Sequence, residues 1–380
     1  MNARLSTVAV SLFAIVASAL LGAASPPLSD IIKRVDPEDY QLEIMAQITA
    51  YQHDYRADIQ YEFELEETPL VFPIVKDGGF HVVDMDKLKA ELQLNDITIR
   101  DSFSLLPTPS LDTTLGRFQI REFKGKQVEF QITEILTCYA SKVDESAALS
   151  LGWPEEWPPD VQSALQPQMY VESSHETVQT LMNRMTKENP RRAKPYVLAK
   201  ELARQTVNYF QVNGKDWTND KFGAVDGINV SGAVKAAQER RGPLVDAVCL
   251  YVALCRAAGL PARPVIGLDT TDDDKLIFWA EIYLPTAGWI PVDLREVYKA
   301  PGRARDLSKP WPGVGTHDDL NEMVPIAFHF HPPAGVIAGG RKGKPLIWGW
   351  APRPSAVPAD QTVRFDVNTA PRRGGERRRR

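Results

Sequence analysis

Cysteine is scarce in this chain, with three among 380 residues, and histidine is little commoner at six. Three cysteines exclude the disulfide framework that staples many small exported domains. Cys249 and Cys255 stand six apart in a helical pattern and do not bridge each other easily. Cys138 lies in a strand-like run and pairs with either only if the fold brings them together. Three small buried side chains is the simpler reading. Few histidines also limit metal chemistry, and there is no HExxH, GxSxG, CxxC or phosphate-binding glycine loop. His329 and His331 form an H-x-H pair that shares one face of a strand. With His317, Asp318 or Asp319 they make a weak metal candidate, ordinary polar strand positions being the plainer assignment. No cofactor is expected.

Long apolar runs are missing beyond the first thirty residues. Within them, Arg4 gives a positive start, Val8 to Leu21 an apolar centre, and Gly22-Ala23-Ala24 a small-residue cleavage site. Residues 1–24 therefore read as a signal peptide. The apolar stretch is short for a membrane span, and no cysteine follows it to carry a lipid. The expected location is periplasmic or secreted, with no transmembrane span after cleavage. Excess positive charge is also absent. Net charge is −5, and residues 371–380 hold six arginines and one glutamate, so the rest of the chain stands at −10. An acidic body excludes general nucleic-acid binding, which needs a basic surface against phosphate. The arginine-rich tail, residues 368–380, reads as disordered.

Proline is plentiful, at 29 residues, and points to long ordered connections rather than a helical bundle. Residues 35–148 read as a mostly β domain. Leu42, Ile44, Ala46 and Ile48 alternate with polar neighbours, as do Ile59, Tyr61 and Phe63. Phe118 to Phe123 and Val128 to Leu136 flank Lys124-Gly125-Lys126, which predicts a hairpin. Residues 149–168 form a Pro/Trp-rich connector in which Trp153 and Trp157 pin the chain to a domain surface. Helices are predicted near Ser174–Met182, over Tyr196–Phe210 and over Pro243–Ala258, the last ending at Gly259. Strands follow at Arg263–Leu268, Leu276–Leu284 and Trp289–Leu294. The apolar runs Val324–Phe330 and Pro345–Trp350 are candidates to extend the same sheet.

The stretch from Arg240 to Asp293 resembles the transglutaminase-like superfamily of papain-like cysteine enzymes. RRGPLVDAVCLYVALCRAAGLPARPVIG is similar to that family's nucleophile helix and first strand, IFWAEIYL to its histidine strand, and GWIPVD to its aspartate strand. The resemblance implies an α+β fold: an N-terminal β domain, then a transglutaminase-like domain with an antiparallel sheet over 169–367, including a C-terminal strand extension. In such enzymes a cysteine at a helix start gains thiolate character from the helix dipole. A histidine takes its proton and an aspartate orients the histidine.

Carried onto this chain, the cysteine position falls on Leu244, fifteen residues before Gly259. The histidine position falls on Ile277, four before Glu281. Only the aspartate is kept, as Asp293. Leucine has no nucleophilic atom and isoleucine accepts no proton, so the resemblance implies a catalytically inactive member. Cys249, five positions from Leu244, lies about 140° around an ideal helix and does not replace it. Trp279, Asp293 and Leu244 are the candidate ligand contacts. The expected partner is a peptide, a cell-envelope polymer or a protein held in the former active-site cleft. A hydrolase or acyltransferase with a non-standard active site is the alternative.

Overall fold

The computed structural model describes residues 29–54, 57–65, 68–76, 78–108, 113–219, 225–272, 275–300, 305–330, 349–350 and 360–370. The leader segment 1–24, His331 and the arginines beyond 370 lie outside the described residues.

The N-terminal half is built on two long antiparallel strands, β1 (Ile32–Asp54) and, further along, Gln127–Val143. Between them β2 (Thr68–Ile74), β3 (Phe103–Thr108) and β4 (Thr113–Ile120) form a second sheet in the order β2-β4-β3. The strand Gln127–Val143, β5, pairs with β1 so that Ile44 meets Ile132 and Ala46 meets Phe130. The strict alternation predicted from sequence puts Val128, Phe130, Ile132, Leu136 and Cys138 on the buried face, with Gln127, Glu129, Gln131 and Thr133 turned outward. Glu134 falls in the inward row and is 4% exposed. Burial pushes its carboxyl up to about 8.

The predicted hairpin across Lys124-Gly125-Lys126 does not form. Phe123–Gly125 pairs with Phe63–Leu65, while the residues after Lys126 run off along β1. Asn95 makes the change of direction, its Oδ1 accepting from the backbone N–H of Lys126 (2.8 Å) and Gln127 (3.2 Å). A short Lys-Gly-Lys turn signal is outweighed here by a side chain from thirty residues upstream.

After a short helix α1 (Glu145–Ser150) the connector is pinned as its tryptophans predict. Trp153 donates from Nε1 to the Ala193 carbonyl (2.8 Å) and Trp157 to the Gly259 carbonyl (3.0 Å). The helical lead-in consists of α2 (Glu176–Thr186) and α3 (Pro195–Tyr209). Lys200 of α3 is fully buried. It pairs with Glu145 while its ammonium lies 5.3 Å from the Tyr196 ring centre and 5.0 Å from that of Trp311. Next come β6 (Trp217–Asn219), β7 (Val225–Ile228) and α4 (Ala233–Glu239). The apolar helix α5 (Leu244–Ala257) follows, buried from Val245 to Arg256 and closed by Gly259 at φ +82°.

The second half centres on a four-stranded antiparallel sheet: β8 (Ala262–Asp269), β9 (Lys275–Leu284), β10 (Gly288–Val292) and, beyond helix α6 (Leu294–Lys299), β11 (Met323–Ala327). Its order is β10-β9-β8-β11. The run from Val324 thus extends the sheet as expected. The run ending at Trp350 does not: Gly349 and Trp350 pair with Val71 and Leu70 of β2 in the N-terminal half.

The C-terminal strand β12 (Asp360–Thr369) also leaves the second half. It lies along β1, with Tyr40 opposite Thr369 and Ala46 opposite Val363. On its other edge Val363 meets Val225 of β7, and β7 pairs with β6. One sheet therefore runs β6-β7-β12-β1-β5 and joins both halves of the molecule. Edge coverage explains the choice: β12 seals the open side of β1 and buries Val363 completely. No helix among the described residues is long and apolar enough to cross a membrane.

Candidate functional site

Leu244 is the first residue of α5, with Pro243 as the capping position before it. Ile277 lies on β9 opposite Gly267 of β8. Both side chains are half-buried and pack on the core. Two adjacent residues tie these elements together. Asp216 Oδ1 accepts from the Val245 backbone N–H at 2.7 Å, and Trp217 donates from Nε1 to the Leu276 carbonyl at 3.0 Å. The start of α5 and the Leu276 end of β9 are thus bridged by the first residue of β6 and the residue before it.

Asp293 follows β10 directly and caps α6. It is completely buried, and its Oδ1 accepts from the Arg295 backbone N–H at 2.8 Å. Its Oδ2 takes two further partners, the Arg295 guanidinium at 3.1 Å and His317 Nε2 at 3.3 Å. Burial alone would raise its pKa. The bond to His317 and the charge of Arg295 outweigh it and hold the carboxyl below its ordinary value. Arg295 reaches a second carboxylate, Asp269, at 3.4 Å.

His317 is held in place by the N-terminal half. Its backbone N–H and carbonyl pair with Ser141 of β5 at 3.0 and 3.1 Å. The Ser141 hydroxyl donates to the Gly315 carbonyl at 2.7 Å, and Thr316 Oγ1 accepts from the Val143 N–H at 3.0 Å. The histidine beside Asp293 therefore comes from a loop held by β5.

A second carboxylate joins Asp216 in the first turn of α5. Asp246 Oδ1 accepts from the backbone N–H groups of Ser231 (2.7 Å) and Gly232 (3.0 Å). Burial outweighs these bonds and pushes Asp246 up to about 6. Burial raises Asp216 as well, against the pull of the Val245 and Leu244 N–H groups and of Arg295.

Trp279 faces the same side of β9 as Ile277 and is 2% exposed. Its indole lies on Gly267, where an added Cβ would sit 2.5 Å from Cζ3. Its Nε1 has no hydrogen-bond partner among the described residues. Two positions along, Glu281 forms a buried ion pair with Arg263 at 2.8 Å. The Arg263 guanidinium sits between Trp289 (4.0 Å) and Phe328 (3.6 Å), and donates to the Gly78 carbonyl at 3.2 Å. Among the candidate contacts, then, Trp279 and Asp293 are interior and Leu244 stands nearer the surface.

The cysteines are free and buried. Burial pushes the Cys249 thiol far up and the Cys255 thiol up to about 12, the latter despite its bond to Tyr251 and the charge of Arg256. His329 is buried, and no cluster of three or more potential metal ligands occurs among the described residues.

Asp216, Arg295 and His317 carry no family motif; the sequence offers His317 as a metal candidate and does not single out Asp216 or Arg295. One signal was available: Asp293-Leu294-Arg295-Glu296 fits an N-cap followed three residues later by glutamate, which marks the start of α6 and places Arg295 in its first turn.

Residues 181–294 match the family model described as the transglutaminase-like superfamily. Among solved structures, a candidate cysteine protease from Cytophaga hutchinsonii is 14% identical, with a TM-score of 0.54, and the match covers 91% of this chain and 95% of that one. The periplasmic domain of TgpA from Pseudomonas aeruginosa is 14% identical with a TM-score of 0.31, over 70% of this chain and 91% of that one. No curated protein matches the chain in sequence. At this identity the Cytophaga structure speaks for the fold, and the family match lies over the segment that carries Leu244, Ile277 and Asp293. Residues 181–294 are a transglutaminase-like domain.

Proposed function

We propose that the protein is an exported, non-catalytic transglutaminase-like module that holds a peptide, an envelope polymer or a protein partner without cutting it. One observation carries this reading. The first residue of α5 is Leu244, where the resemblance places a nucleophile, and the strand position of the general base is Ile277. Asp293 supports it, being committed to Arg295 and His317. Cys249 and Cys255 are buried thiols with raised pKa values, poor thiolate sources at neutral pH. Export rests on the signal-peptide pattern of residues 1–24.

With Trp279 and Asp293 interior, ligand contact falls to the half-buried rim at Leu244 and Ile277. Purified protein incubated with casein and a primary-amine probe is expected to show neither cleavage nor cross-linking. Activity that disappears in Cys249→Ala would overturn the reading. Binding is tested by co-sedimentation with purified peptidoglycan and by capture on a random peptide array. Ile277→Arg is expected to weaken retention at least tenfold while leaving the melting temperature within a few degrees.

A further inference from the structure

The N-terminal end of a helix carries unpaired N–H groups and a positive dipole end, and both favour a negative charge. In α5 that position is taken from within the chain. Asp216 Oδ1 accepts the Val245 N–H at 2.7 Å, and the flanking Trp217 fixes the segment by its bond to the Leu276 carbonyl. Asp216 lies within the matched residues 181–294 but outside the stretch from Arg240 to Asp293 whose motifs carry the resemblance. It is set there by β6, which pairs with β7, which pairs with β12 against β1.

We propose that Asp216 is an internal anion occupying the start of α5, one that bars nucleophile chemistry at this helix independently of the losses at Leu244 and Ile277. The inference deepens the proposed function and rests on its reading of Leu244 as the former nucleophile position. A thiolate needs its negative charge stabilised, and an oxyanion needs free N–H donors. At α5 a carboxylate already holds the Val245 donor, and a new anion at position 244 would stand beside it. Asp246 adds a further acidic group in the same turn. Two cations bear on these carboxylates: Lys235 of α4 acts on Asp246, and Arg295 of α6, which acts on Asp216, is already paired with Asp293 and Asp269, while His317 beyond it bonds Asp293. Restoring the cysteine and the histidine would therefore leave the helix start unfit for catalysis.

The test places a thiol at the position in question and reads its ionisation. Leu244→Cys and the double variant Leu244→Cys/Asp216→Asn are treated with iodoacetamide across pH 5 to 10, and alkylation of residue 244 is followed by peptide mass spectrometry. The thiolate sulfur displaces iodide from carbon, so the rate follows the thiolate fraction. Asparagine also caps helices well, so the substitution removes the charge and keeps the acceptor. In Leu244→Cys the midpoint is expected above the ordinary thiol value of about 8.5. In the double variant it is expected to fall by at least one unit, making alkylation at pH 7 about tenfold faster or more. Asp216→Ser, a second uncharged cap, is expected to reproduce the shift. Equal midpoints with and without the carboxylate would overturn the inference and leave the proposed function standing. Alkylation only on unfolding, in both variants, would mean that position 244 is not an accessible helix start, and both readings would fall together.

Discussion

His317 Nε2 lies 3.3 Å from Asp293 Oδ2, and His317, though it follows Asp293 in the second half of the chain, is anchored by its backbone to the first. Asp293 starts α6 in the transglutaminase-like domain, whereas the His317 backbone is bridged to Ser141 on the longest strand pair of the N-terminal half. Replacing Asp293 by asparagine leaves the partly buried Arg295 guanidinium with Asp269 as its one carboxylate partner among the described residues and removes a buried charge, which costs about 3 kcal/mol. Urea unfolding measures it. The acid limb follows the same group. Its folded pKa is depressed, so its contribution is present above the ordinary value of 3.8 and is lost as pH falls through the lower folded value. Asp293→Asn is therefore expected to have a shallower loss of stability below pH 4 than the native chain.

Glu134 works in the opposite direction. Its folded pKa is raised from 4.5 to about 8, so the carboxyl stabilises best when protonated. Stability is full below pH 4.5 and falls as pH rises towards 8, at about 1.4 kcal/mol per unit. Glu134→Gln should abolish that slope and make the variant the more stable protein at pH 8. Thermal melts at pH 5 and pH 8 check both statements, and an unchanged slope in the variant removes the assignment to Glu134.

Gly267 makes room for Trp279. A methyl group there would meet Trp279 Cζ3 at 2.5 Å and the Val324 carbonyl oxygen at 2.7 Å, and the second of these is backbone. Gly267→Ala is expected to cost about 1–3 kcal/mol by overpacking, with a shift in Trp fluorescence. Gly152→Ala, where the added carbon meets nothing, is the control expected to change neither.

The thiols offer a simple accessibility measurement. Cys138, Cys249 and Cys255 are each no more than 1% exposed. Ellman's reagent is expected to titrate none of them in the native state at pH 8 and all three in guanidinium. Reaction of one thiol within minutes in the folded protein would contradict the burial described for it.

Val363 joins the two halves, packed between Ala46 of β1 and Val225 of β7. Val363→Asp buries an unpaired charge in that seam and is expected to cost 3 kcal/mol or more. Hydrogen exchange is expected to rise first at Trp217–Asn219, the edge of the sheet nearest the start of α5.

Much of this architecture was legible in local pattern. The alternation along β5, the apolar periodicity of α5 with glycine just past its end, and the spacing from Gly259 to Asp293 are short-range signals, and each led to the right element. The seam was not legible, because strand pairing across the chain leaves no periodicity of its own. The run ending at Trp350 reads as one more strand of a nearby sheet, and nothing in its composition says that its partner is Leu70. The hairpin at Lys124-Gly125-Lys126 failed for the same reason, the decisive contact being Asn95. At the site, Leu244 and Ile277 could be read as substitutions against a known pattern. Asp216 and His317 could not, since their meaning depends on which distant strand delivers them.

The placement of β12 has a consequence for the order in which the molecule is made. Tyr40 lies opposite Thr369, so the two ends of that pairing leave the ribosome with almost the whole described chain between them. Early in synthesis β1 can find β5, but its other edge stays open until residues 360–369 arrive. An open edge is a hazard for association with other chains, and so distant a pairing is slow to close. Because β6 hangs on β7 and β7 on β12, the segment that sets Asp216 against α5 can reach its final position only after that late strand docks. The domain's helices and its own sheet are complete before the side chain that closes their shared corner is in place.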